Sequence, residues 1–190
     1  MINSVFINLG ASNHSIDTRE ENDFYSTEPR AVEELLKYEK FNKYILEPAC
    51  GQGHISKVLK DNGYIVKSQD LINRGYGEYG IDFLKTNMKW KGDIITNPPY
   101  KYAKQFVEKA LEIVEEKSKI AMLLKIQFLE SQSRYKLFKK NNPKYIYVFS
   151  KRVNCWKNGI ELNTNGAICY SWYIWEKGYK EETIVRWIGE

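Results

Sequence analysis

Tyr44-Ile45-Leu46-Glu47-Pro48-Ala49-Cys50-Gly51-Gln52-Gly53 decides how this chain folds. A short buried strand ends at Glu47-Pro48. Two glycines then turn the backbone sharply, and a helix runs from about Gly53 to Asp61, closed by Asn62-Gly63. Glycines in such a turn let the backbone approach a ligand closely. The spacing is not the dinucleotide fingerprint G-x-G-x-x-G, because Ser56 stands where the third glycine would be. Taken alone, the segment is a tight strand-to-helix turn; its meaning depends on what the rest of the chain brings to it.

Outward from this turn, strand and helix alternate. On the N-terminal side, Glu28 to Tyr38 reads as a helix with Pro29 in its first turn and Val32, Leu35 and Leu36 on one face. On the C-terminal side, Tyr64 to Ser68 is a strand with Asp70 just beyond it, 73–80 is a glycine-rich loop, and Asp82 to Thr86 is a short helical turn. Asp93 to Thr96 is a strand running straight into Asn97. Apolar residues recur with helical period from Tyr102 to Glu116, predicting an amphipathic helix. Ile120 to Leu124 is a strand, Ile126 to Lys140 a helix stopped before Pro143, and Tyr145 to Phe149 a strand. Ser150 to Gly166 is irregular; Ile168 to Trp175 and Thr183 to Ile188 are the last strands. Repeated β-α-β order implies a parallel sheet with helices on both faces, and ligands of such sheets bind beyond the C-terminal strand ends. Glu47, Asp70 and Asn97 each lie just past a strand end and are thus expected at one edge.

With 190 residues, 43% hydrophobic and 28% charged, the chain suits one folded domain over 24–190 preceded by a polar arm over 1–23. The arm lacks the basic start and apolar centre of a signal peptide, and no run of 18 apolar residues predicts a membrane span. Three cysteines, Cys50, Cys155 and Cys169, form no C-x-x-C pair, so neither a disulfide framework nor a zinc site is expected; a cytoplasmic setting and no bound metal follow as expectations. The His-x-Glu and Pro-Cys-x-x-Cys pattern of zinc nucleobase deaminases is missing. Charge is uneven: residues 101–160 carry 14 Lys/Arg against five Asp/Glu, a net of +9, whereas 1–100 and 161–190 each sum to −2. A basic middle suits a polyanionic partner.

Asp70, past the second strand, can accept both hydroxyls of an adenosine ribose. The glycine turn with Glu47-Pro48 before it resembles motif I of amino-methyltransferases, the loop that wraps S-adenosylmethionine. Asn97-Pro98-Pro99-Tyr100 resembles motif IV of S-adenosylmethionine-dependent N6-adenine methyltransferases, Asp/Asn-Pro-Pro-Tyr/Phe. Phe24-Tyr25-Ser26-Thr27-Glu28-Pro29 resembles their motif X, here with Glu28 set between Thr27 and Pro29, and Asp82-Phe83 stands where that family places an Asp-aromatic pair at the cofactor adenine. The resemblance covers about residues 24–175 in the motif order X, I, II, III, IV, and the small size is similar to phage and prophage members. It implies an α/β, Rossmann-like class I methyltransferase fold: a mostly parallel seven-stranded sheet with one antiparallel strand, around Ala167–Trp175, and helices on both faces. It implies S-adenosylmethionine as cofactor, held by Glu47, Pro48, Ala49, Gly51 and Gly53 from the turn, by Asp70, by Asp82 and Phe83, by Tyr25, Thr27 and Pro29, and by Asn97.

The chemistry of Asn97, Pro98, Pro99 and Tyr100 is legible in their residue types. An aromatic amine is a poor nucleophile, because its lone pair is delocalised into the ring. The side-chain carbonyl of Asn97 and the backbone carbonyl of Pro98 can accept its two hydrogens, favouring a pyramidal nitrogen and offsetting the positive charge that develops there. The prolines fix φ and remove backbone donors. Tyr100 offers a ring to stack on the base. The expected substrate is N6 of adenine in nucleic acid, DNA ahead of RNA, with Lys101, Lys125, Lys151, Arg152, Trp156 and Lys157 as contacts to phosphate and base. No dedicated target-recognition region is visible beyond Ser150–Gly166, so a separate specificity partner is compatible with the sequence. Glutamine-amide methyltransferases of release factors share Asn-Pro-Pro-Tyr and form the alternative, as does a binding module that keeps the fold without turnover.

Overall fold

The computed structural model describes residues 24–157, 159 and 168–189. The polar arm over 1–23 and most of the stretch after Lys157 that was expected to be irregular lie outside the described residues. The chain order is β1 (Tyr25–Thr27), α1 (Pro29–Tyr38), β2 (Tyr44–Glu47), α2 (His54–Asp61), β3 (Ile65–Ser68), β4 (Asp93–Thr96), α3 (Ala103–Ile113), β5 (Lys119–Lys125), α4 (Gln132–Lys140), β6 (Tyr145–Phe149), β7 (Cys155–Lys157), β8 (Tyr170–Glu176) and β9 (Ile184–Ile188).

Seven strands form one sheet in the order β3-β2-β4-β5-β8-β6-β9. β8 runs antiparallel to both its neighbours, β5 and β6, and every other pairing is parallel. The chain leaves β2 for β3 on one side and crosses back to β4 on the other, so the strand order switches between β2 and β4. Glu47 and Thr96 end those two strands. Because β8 is reversed, its first residue, Tyr170, lies opposite Lys125, the last of β5, and so reaches the same edge.

Each face of the sheet carries its own core. Ile45, Ile95, Leu123 and Trp172 pack against Val32 and Leu35 of α1 and Ile55 and Leu59 of α2. Ile94, Met122 and Tyr173 face Phe106 and Val107 of α3 and Leu137 of α4. The aromatic strand β8 is buried on both faces by alternation. The Trp172 indole donates to the Ala31 carbonyl at 2.8 Å on one side, and the Tyr173 hydroxyl donates to the Ile126 carbonyl at 3.2 Å on the other. Large aromatics are tolerated this deep because their polar ends find acceptors.

Three elements differ from expectation. The helix expected over Ile126–Lys140 is two pieces: a 3-10 turn, Ile126–Leu129, and then α4. The break has a local cause. Ser131 caps α4, its Oγ accepting from the Ser133 amide at 3.1 Å, and Arg134 donates to the carbonyls of Phe128, at 2.7 Å, and of Glu130, filling acceptors that a continuous helix would use. The helix expected over Tyr102–Glu116 is shorter, because Tyr100–Tyr102 is a 3-10 turn and the Ile113 carbonyl accepts from the Trp90 amide at 2.9 Å. Cys155–Lys157, expected to be irregular, forms β7 and pairs antiparallel with β1 in a separate two-stranded ribbon: Tyr25 faces Lys157, Ser26 faces Trp156 and Thr27 faces Cys155.

Candidate active site

Two groups of residues meet at the C-terminal edge of the sheet. The first surrounds the glycine turn. Gly51 and Gly53 have φ of +53° and +80°, the left-handed region that favours glycine. A Cβ on Gly51 would come within 2.3 Å of Cε2 of Phe24, and one on Gly53 within 2.5 Å of the Tyr76 ring. The Arg74 guanidinium lies 4.2 Å from the centre of the Phe24 ring, and Lys60 donates to the Tyr76 hydroxyl at 2.9 Å. The turn is set by Asp70: its Oδ2 accepts from the Gly51 amide at 2.8 Å and its Oδ1 from the Ile72 amide at 2.9 Å. Each oxygen keeps lone pairs beyond those bonds.

Glu47, expected among the cofactor contacts, is enclosed by the protein. It is 1% exposed and accepts a hydrogen bond from Ser56 of α2, whose Oγ is also 2.6 Å from Oγ of Ser68. Burial pushes its carboxyl up to about 8, with the Ser56 hydrogen bonds acting in the opposite direction. The serine at the third glycine's place in the turn motif thus ties Glu47 to both α2 and β3. Pro48 is buried and Ala49 half-buried beside it. Asp82 caps the 3-10 turn Phe83–Lys85, accepting from the Leu84 amide at 3.0 Å, and its other oxygen is 3.0 Å from Lys85. Phe83 is 3% exposed, its ring centre 5.0 Å from that of Phe106. This pair is committed to a cap and to the core, so a cofactor role for it would be added to a structural one.

The second group surrounds Asn97. Its Nδ2 donates to the Tyr25 carbonyl at 3.0 Å and to Oγ1 of Thr27 at 3.1 Å, and lies 3.8 Å from Sγ of Cys155. Its Oδ1 is buried and accepts no hydrogen bond. Pro98 is buried, and the Pro99 carbonyl accepts from the Tyr102 amide at 2.9 Å, starting the turn that leads into α3. The Tyr100 ring, expected to be open for stacking, is already engaged: ring centres of Tyr25 and Tyr170 are 5.6 and 5.9 Å away, and the Lys125 ammonium is 4.9 Å from its own. Its hydroxyl is buried, and burial beside Cys155 and Tyr170 raises it well above the ordinary phenol range. Burial likewise pushes the Cys155 thiol up to about 12, so it is neutral.

The ribbon that holds Asn97 is itself anchored. The Glu28 amide donates to the Asn154 carbonyl at 3.1 Å, and the Glu28 carboxylate accepts from the Asn154 amide at 2.8 Å. Glu28, the residue that interrupts the motif X pattern, is the clasp between β1 and the strand it pairs with. Pro29 starts α1 and is exposed.

Of the expected nucleic-acid contacts, Lys101 is exposed with its ammonium 5.3 Å from the Tyr102 ring centre, and Lys125 is half-buried at the end of β5. Lys151 and Arg152 are exposed, and their backbone carbonyls accept from Arg30. Trp156 is half-buried in β7 rather than on an open loop, with its indole N–H buried and unpaired. The Lys157 side chain lies outside the described residues. Tyr170, Cys155, Ser56 and Phe24 also belong to the site and were not among the expected site residues; Ser56, in the glycine spacing, and Phe24, at the head of the motif X segment, carried a signal, and the other two did not. A cavity of about 620 Å³ between α3 and α4, lined by Leu111, Leu137 and Trp175 among others, includes none of these residues.

Among the described residues, no cluster of His, Cys, Asp or Glu could hold a metal ion, and no helix is long and apolar enough to cross a membrane. No protein-family model matches the sequence, and no curated protein does. Solved structures do. A Listeria monocytogenes protein named as a class I S-adenosylmethionine-dependent methyltransferase superposes with a TM-score of 0.56 at 14% identity, over 85% of this chain and 63% of that one. A Lactococcus lactis protein named as a hemolysin gives 0.60 at 16%, over 83% and 91%. A Pyrococcus horikoshii protein named as an RNA methyltransferase gives 0.50 at 15%, over 78% and 79%. The fold is the Rossmann-like fold of class I methyltransferases.

Proposed function

We propose that the protein transfers a methyl group from S-adenosylmethionine to an exocyclic amino nitrogen, N6 of adenine in a nucleic acid, with DNA ahead of RNA. The observation that carries this reading is the buried Oδ1 of Asn97, which accepts no hydrogen bond while the other end of the same amide is held by two acceptors. An unpaired buried carbonyl oxygen costs roughly 1–3 kcal/mol, and an amino group placed against it removes that cost. Its hydrogen bond strengthens as the nitrogen gains positive charge, so the interaction favours the transition state over the bound substrate. The Pro98 carbonyl, next in the chain, is assigned the second hydrogen.

The glycine turn is where the resemblance sets the cofactor, and Asp70 there keeps lone pairs beyond its two backbone bonds. When bound, S-adenosylmethionine supplies an electrophilic methyl group on a sulfonium sulfur. In the transfer, the amino nitrogen would take the methyl carbon as its bond to sulfur broke, the sulfur would keep that electron pair, and one N–H proton would pass to solvent. Asn97 holds an N–H through this change and needs no ionisation of its own, so the neutral thiol of Cys155 and phenol of Tyr100 are in keeping with its surroundings.

Nucleic acid as the substrate rests on the net charge of +9 over residues 101–160, within which Lys101, Lys125, Lys151 and Arg152 are assigned the phosphate contacts. A base in a duplex would have to be flipped out at a cost of a few kcal/mol. Target choice through a separate specificity partner belongs to this reading as well. The test is transfer of tritiated methyl to DNA, RNA and protein fractions supplied separately. Label is expected in DNA first and RNA second; label in protein alone contradicts the proposal.

A further inference from the structure

We propose that Thr27 is a positioning residue for the reaction: it fixes which end of the Asn97 amide faces the substrate. This rests on the function proposed above. A side-chain amide can sit in its site in two orientations, exchanging a donor for an acceptor. In this site the choice is forced. The Tyr25 carbonyl can only accept, so it demands the NH2 end of Asn97, which it receives at 3.0 Å. Thr27 Oγ1 accepts the second hydrogen at 3.1 Å, and an NH2 group has two hydrogens to give. With both committed to β1, Oδ1 is the end left over, buried and with no donor of its own.

Thr27 is suited to this role, since its hydroxyl already takes one of the two Asn97 hydrogens. It is 2% exposed and paired with Cys155 in the ribbon, and the adjacent Glu28 clasps Asn154. Its backbone is therefore fixed independently of its hydroxyl. Without the hydroxyl, one N–H of Asn97 is left with only the weak Sγ acceptor of Cys155, 3.8 Å away, and the amide is freer to rotate about its side-chain torsion. The acceptor would then spend less time in the orientation that receives the amine. The motif X threonine thus acts through Asn97, which its hydroxyl already contacts.

The experiment compares wild type, Thr27→Val and Thr27→Ser as purified full chains. Valine keeps the branched shape that suits a buried strand position and removes only the hydroxyl; serine keeps the hydroxyl. The expected result for Thr27→Val is a fall in kcat of about tenfold, the scale of one lost hydrogen bond, with KM for nucleic acid and Kd for S-adenosylmethionine within twofold. Thr27→Ser is expected to retain kcat within about threefold. In ¹⁵N spectra, the Asn97 side-chain NH2 protons are expected to exchange about tenfold faster in Thr27→Val than in wild type, the scale of the same lost hydrogen bond. Unchanged Asn97 amide signals in Thr27→Val overturn the proposal, and so does equal loss of kcat and cofactor affinity, which would make Thr27 a cofactor ligand. Wild-type protein that methylates no amine overturns the proposed function instead, and the amide spectra still decide whether Thr27 holds Asn97.

Discussion

The side-chain NH2 of Asn97 lies 3.0 Å from the backbone carbonyl oxygen of Tyr25, joining the end of a central strand to a ribbon that stands outside the main sheet. A carbonyl oxygen at that position accepts and never donates. It therefore selects asparagine over aspartate at residue 97, although the motif that Asn97-Pro98-Pro99-Tyr100 resembles admits both.

Asn97→Asp follows directly. An ionised carboxylate would face the Tyr25 carbonyl, acceptor against acceptor, in a buried site. The expected cost is about 1–3 kcal/mol of stability, read from urea denaturation. The carboxyl would be driven toward its neutral form, so its folded pKa would lie above the unfolded one. The variant should then lose stability, relative to wild type, as pH rises from 5 to 8. Equal stability differences at both pH values would contradict this assignment of the contact.

Glu47 gives a second pH dependence, native to the protein. Burial raises its carboxyl from 4.5 in its ordinary state to about 8. Between those values the folded protein holds a proton that the unfolded chain releases, so stability falls as pH rises across the window. Asp93, also raised by burial, adds a slope of the same sign, and the informative quantity is the difference between wild type and Glu47→Gln. The variant is expected to be the flatter of the two in denaturation midpoints measured from pH 5 to 8.

Gly53→Ala tests the turn. The new Cβ would meet the Tyr76 ring at 2.5 Å, on a backbone with φ of +80°. Both effects destabilise, by more than about 1 kcal/mol together. Adding Tyr76→Ala should recover only the steric part, leaving the backbone strain, and thermal melts of the single and double variants measure the split. Full recovery in the double variant would mean that the left-handed conformation is not required.

Much of this architecture is legible in the chain. The sheet could be read because its strands are short apolar runs placed between helices with clear amphipathic faces, whereas the reversal of β8 was implied by the family resemblance and not by the pattern of its residues. Glu47, Asp70 and Asn97 could be placed at one edge because each follows a strand. The ribbon could not be read. β1 and β7 have three residues each, too few for a period, and their pairing spans 130 residues, from Ser26 to Trp156. The break between the 3-10 turn and α4 was hidden because Ser131 and Arg134 compete for backbone groups through side chains, which leaves the apolar pattern intact. Tyr100 illustrates the remaining limit. Its motif suggests an open ring, whereas Tyr25 and Tyr170, brought in from the ribbon and from β8, occupy its surroundings.

The central claim is that Asn97 presents an acceptor to an exocyclic amine. Its most direct test is nucleoside analysis by mass spectrometry of DNA and RNA incubated with S-adenosylmethionine and either wild-type protein or Asn97→Ala. The account predicts N6-methylated adenine with wild type, a loss of at least about a hundredfold in Asn97→Ala, and S-adenosylmethionine affinity in the variant within a few-fold of wild type. Methylation at a ring nitrogen, a ring carbon or the ribose would contradict it, as would equal losses of turnover and cofactor affinity in Asn97→Ala.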